Sequence, residues 1–147
     1  MTRPRLVVER ELLARLLAET DHALLRRRLL GLHLAGIGRT HFSGAHAHLF
    51  GAIVNIVGRG DFPYDADLEH ETRWCVGAGY VSWVRVAYAT ETSLYALAQA
   101  LLDANRRMQA DSAGRTLLAA IADPAVDVDR AIAAAVGALR RVGRDAA

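Results

Sequence analysis

The sequence predicts an all-α protein, a small helical globular domain followed by a C-terminal helical hairpin. Three observations carry that expectation. Apolar residues recur at steps of three and four in segment after segment, which is the period of a helix with one buried face. Residues able to cap helices, Asp21, Ser43, Ser112 and Asp127, stand where those periods begin. The one stretch that also reads as a strand, VSWVRVAY from Val81, is isolated, and a lone strand has no ladder to join.

Composition bounds the rest. The chain has 147 residues, 52% apolar and 23% charged, enough to bury one core without metal or disulfide support. No apolar run reaches the roughly 20 residues of a membrane span. The N-terminal segment LVVERELLARLL carries Glu9, Glu11 and Arg15 through its middle, unlike a secretory signal. Cys75 stands alone and can form no internal disulfide, which suits a reducing compartment, so a cytoplasmic protein is expected. All 18 basic residues other than histidine are arginines. That bias is what a high-GC genome produces, and it discounts arginine identity as a sign of phosphate recognition.

The first helix is expected from Val7 to Thr20, with Val8, Leu12, Leu13, Leu16 and Leu17 inward and Glu9, Arg10, Glu11 and Arg15 largely outward. A second follows the cap candidate Asp21 through HALLRRRLLGLHL, burying Leu24, Leu25, Leu29 and Leu32, until Gly36 and Gly38 break it. The segment His41–Gly60 is the centre of the fold: Ser43 caps it, His46, Leu49, Phe50, Ile53, Ile56 and Val57 form its inner stripe, and Gly58 and Gly60 end it. From Asp61 to about Gly77, Pro63 and the acids suggest a loop. A helix from Ser93 puts Leu94, Leu97, Ala98, Leu101 and Leu102 inward, and another is expected from Ser112 to Ile121. After a turn at Asp123 and Pro124, Val128, Ile132, Ala135, Val136, Leu139 and Val142 follow in near-heptad order. The reading is therefore one domain over 1–147, with a globular part at about 6–111 and a hairpin at about 112–143.

No catalytic or metal-binding group emerges from the spacing, and no cofactor is expected. His46 and His48 sit about 200° apart on a helix and cannot converge on one metal ion. HETRW at His70 has Trp74 where a zinc-protease motif needs its second histidine. GIGRT at Gly36 has no phosphate-binding lysine. Arg26, Arg27, Arg28, Arg106 and Arg107 are the weak candidates for nucleic-acid contact, and a helical nucleic-acid-binding regulator is the alternative function they would serve. Three consecutive arginines nevertheless point three ways on a helix, and net charge is only +2. The hairpin offers a clearer surface. Leu117, Leu118 and Ile121 with Val128, Ile132, Val136 and Leu139 exceed what two helices can cover between them, so a homodimer or higher homo-oligomer is expected through that seam.

The order of these segments resembles the N-terminal domain of DnaB-type replicative DNA helicases, over about Val8 to Val142. The resemblance rests on EREL-LARLL, on Phe42, His46, Leu49, Phe50, Ala52, Ile53 and Gly60, on Asp65 displaced by one residue, on GAGYVSWV, on Ser93 with Tyr95, and on ADPAVDVDRAI at the hairpin turn. The Asp65–Gly77 segment is shorter than that family's, and its ATPase domain with the phosphate loop is missing from this sequence. The resemblance implies a helical globular domain with a protruding hairpin, dimerisation through it, and docking of primase, a replicative helicase or a helicase loader. It implies a non-catalytic interaction and oligomerisation module of DNA replication.

Overall fold

In the computed structural model, residues 3–87 and 92–144 are described. Among them are seven α-helices and no strand: α1 (Arg5–Leu17), α2 (His22–Leu34), α3 (Gly44–Gly58), α4 (Asp65–Thr72), α5 (Tyr80–Arg85), α6 (Leu94–Ala122) and α7 (Val128–Arg144), with a single 3-10 turn at Arg39–His41. No helix is long and apolar enough to cross a membrane among the described residues. The chain groups into two compact units, residues 1–102 and 103–147.

The first unit is built around α3. Helix α3 packs against α1, α2 and α4, and α5 closes over α1 and α4. Leu49 and Ile53 are fully enclosed, and Phe50 stacks on Phe42 with ring centroids 4.5 Å apart. From α6, Leu97, Ala98 and Leu101 complete the same core. Helix ends follow the residues that terminate them. After α2, Gly36 takes φ +85°, its N–H donates to the His33 carbonyl, and the Ile37 N–H donates back to Leu32. After α3, Gly60 repeats the pattern at φ +91°, with Gly60 bonded to Val57 and Asp61 to Ile56. Both are Schellman caps, which need a left-handed residue that glycine adopts without a Cβ clash.

Several expectations require correction. Ser43 stands at the start of α3, but its hydroxyl makes no cap bond; it donates to the Glu9 carboxylate instead, at 2.8 Å. Glu9 is fully buried rather than outward. Residues of a helix advance by about 100° each, so Glu9 falls between Leu12 and Leu13 and inside the apolar arc. The acidic stretch after Pro63 is partly helical: Asp65 and Asp67 lie in the first turn of α4, where the helix dipole favours them, while Leu68 and Thr72 are buried. Ser112 does not begin a helix, because α6 runs unbroken from Leu94 to Ala122. VSWVRVAY, in contrast, is helical as expected from Val81 to Arg85, within α5; residues 88–91 lie outside the described residues.

Asp21 and Asp127 cap their helices as expected, and Ser93 caps α6 as well. The Leu24 N–H donates to Asp21 Oδ1 at 3.1 Å, the Ala96 N–H to Ser93 Oγ at 3.1 Å, and the N–H groups of Asp129 and Arg130 to Asp127 Oδ1 at 3.0 and 3.3 Å.

Candidate functional site

The second unit is a hairpin of α6 and α7 turned at 123–127, and its interior is made of small residues. Ala113, Thr116 and Ala120 on α6 meet Ala131, Ala134, Ala135 and Ala138 on α7 along a groove of about 480 Å³. Of the described apolar residues of this unit, only Ala135 is buried. Alanine lets two backbones approach, but it removes little apolar area from water.

The larger side chains stand beside this seam and outside it. Val128, Ile132, Val136 and Leu139 are 40–47% exposed, and on a helical projection they cluster about 100° from the alanine stripe of α7. Leu117 is half-buried at the edge of the groove, and Ile121 is 48% exposed. Both lie about 70–110° from the inner stripe of α6. The helices run antiparallel, since Ala120 lines the groove with Ala131 near the turn while Gln109 lies with Val142 far from it. With both helices right-handed, the two sets then fall on the same side of the hairpin. Leu118 stands apart: it is 69% exposed and about 160° from the inner stripe, on the far face of α6. Six of the seven residues expected in the seam therefore form one surface, and Leu118 is outside it.

Within each unit the arginine candidates differ in their partners. Arg28 pairs with Glu19 at 2.8 Å, and Arg106 pairs with Asp103 at 3.2 Å within one helical turn. Arg26 lines a groove in the first unit, and Arg27 is exposed on the same helix. Arg107 is exposed in the second unit. The histidines diverge as well: His48 Nδ1 lies 2.9 Å from the Arg39 guanidinium, whereas His46 Nδ1 donates to Glu9.

Glu9 is the centre of a buried polar cluster that sequence periodicity missed. Its carboxylate accepts from the Ser43 N–H at 3.0 Å, from the Ser43 hydroxyl, and from His46 Nδ1 at 2.9 Å, and it forms an ion pair with Arg5 at 2.7 Å. Burial alone would raise the carboxyl, but the His46 bond, both Ser43 donors and the Arg5 charge outweigh it, and Glu9 is held below the usual carboxylate range. Over this cluster lie Tyr80 and Trp83 of α5. The His46 ring is stacked on Trp83 with centroids 6.2 Å apart and lies tilted against Tyr80 at 6.0 Å. Burial and then the Glu9 charge push the Tyr80 phenol up to about 12. Arg10 sits 3.6 Å above the Trp83 ring and donates to the Trp83 carbonyl. Because the Ser43 hydroxyl and the imidazole both spend their hydrogen bond on the same carboxylate, the arrangement is a clamp joining α1 to the first turn of α3. The available signal was the placement of an acid within the arc of Val8, Leu12, Leu13 and Leu16.

Comparison with known protein families, with curated proteins and with solved structures returns no match.

Proposed function

We propose that this chain is a non-catalytic oligomerisation and interaction module whose hairpin pairs with the hairpin of a second copy. The observation that carries the reading is the aliphatic surface of Val128, Ile132, Val136 and Leu139, exposed beside an alanine-lined seam in which Ala135 is buried. Contiguous apolar surface of this kind is characteristic of association sites. A two-fold contact needs one self-complementary patch, which a one-sided stripe provides. Setting the module within DNA replication, with primase or a helicase loader as its further partner, rests on the resemblance of segment order alone. The nucleic-acid reading is weaker, since Arg28 and Arg106 are engaged by carboxylates.

Light scattering on the purified protein at tens of micromolar should give twice the 15.9 kDa chain mass, and a monomer would contradict the reading. Calorimetric titration with purified primase and loader separates the two halves of the proposal: self-association with no heat from either partner would retain the oligomer and remove replication.

A further inference from the structure

A second apolar surface lies wholly inside the first unit and is independent of the hairpin. Helices α2 and α3 diverge to leave a groove of about 520 Å³. Leu29, Leu30 and Ile37 form one side, and Phe50, Val54 and Val57 form the other. Leu30 is 56% exposed and Val54 40%, so the floor is covered and the rim is not. Gly58 lines the groove without a side chain. Gly58, in the last turn of α3, has an ordinary backbone conformation, and a Cβ built there meets no atom within 4 Å.

The rim is basic. Arg26, His33 and Arg39 line the groove, and no aspartate or glutamate does. Elsewhere, arginines of the chain meet carboxylates, as Arg28, Arg59 and Arg115 do, whereas no ion pair or hydrogen bond engages the Arg26 side chain among the described residues. Arg39 is held by the His48 ring, which leaves its charge uncompensated. An apolar trough with a one-signed rim selects an occupant that is apolar on one face and negatively charged beside it.

We propose that this groove docks an acidic amphipathic helix of a partner protein. Its apolar residues, at i, i+3, i+4 and i+7, lie between Leu30 and Val54. Its carboxylates meet Arg26 and Arg39. Such a helix brings the negative charge that the rim lacks, and its apolar stripe matches a groove running between two helices.

The test uses two labelled helical peptides of about 16 residues with the same leucine stripe, one flanked by glutamates and one by lysines, titrated against the whole chain by fluorescence anisotropy. The glutamate peptide should bind at least tenfold more tightly at low salt, and Arg26→Glu should cancel or reverse that preference, a change of about 1.4 kcal/mol or more. Gly58→Trp should fill the groove and abolish binding while the circular dichroism and melting curve are retained. Val54→Asp gives a second blocked groove should the tryptophan perturb α3. Equal affinity for the two peptides, no saturable binding of either, or binding unchanged in both groove variants would overturn the proposal. A halved mass for Gly58→Trp would overturn it too, by assigning the groove to a second copy. Ile132→Asp with Val136→Asp alters only the hairpin and should leave peptide affinity unchanged, so failure here is distinguishable from failure of the dimer.

Discussion

In the first unit Leu12, Leu13, Leu49, Ile53 and Leu101 have no exposure at all, while in the second Ile132, Val136 and Leu139 are 40–47% exposed and Ala135 alone among the described apolar residues is buried. Both units are helical, and both contain helices with an apolar stripe. They differ in how many neighbours each helix has. Helix α3 is covered from three sides, whereas α7 has α6 as its partner within the hairpin, through residues too small to hide the larger ones. A stripe on a helix therefore marks surface that requires covering, and the count of neighbouring helices decides whether the chain covers it or another molecule must.

The comparison is broken most severely by emptying the enclosed side. Phe50→Ala removes a ring stacked on Phe42 and buried to 4% exposure, and we predict a loss of about 3–5 kcal/mol in urea melts. A loss below about 1 kcal/mol would mean that the first unit's core tolerates vacancy as an open surface does. Glu9→Gln keeps the shape of the clamp and removes its charge from Ser43, His46 and Arg5. The expected cost is about 1.5–3 kcal/mol, the range for hydrogen bonds to an ionised group.

The same clamp sets an acid dependence whose sign follows from the lowered Glu9 carboxyl. An unfolded glutamate titrates near about 4.3. Glu9 in the fold titrates lower, so its contribution is fully present above the unfolded value and is lost as pH falls through the folded one. The stability gap between wild type and Glu9→Gln should therefore be narrower in melts at pH 3 than at pH 7. A gap that widened on acidification would reverse the assignment. The smallest effect is expected at Arg27→Ala, an exposed position where a change should stay within about 0.5 kcal/mol.

Much of the helix layout was legible because its signals are local. Asp21 and Asp127 make the cap bonds their positions suggested, and Gly36 and Gly60 end helices by adopting positive φ. Ser112 shows the limit of such signals: a serine in the middle of a long helix looks, by residue type, like one at its start. Its hydroxyl has no capping role in the unbroken helix. Glu9 escaped for a different reason. An acid is ordinarily assigned to solvent, and the donors that allow its burial, Ser43 and His46, lie 34 and 37 residues away. The basic groove is likewise a property of two helices together, and the gap left by Gly58 has no residue to announce it. On the hairpin, residue choice was readable and direction was not. Leu118 differs from Leu117 by one step of about 100°, which carries it off the surface shared by the other six.

The central claim is that the hairpin's exposed stripe is covered by a second copy, and the most direct test is sedimentation equilibrium of wild type beside the Ile132→Asp, Val136→Asp double variant. Wild type should fit a dimer at tens of micromolar. The variant should fit a monomer with helicity and thermal unfolding of the first unit preserved, because that unit encloses its own core. A wild-type monomer, or a variant dimer of unchanged affinity, would contradict the account.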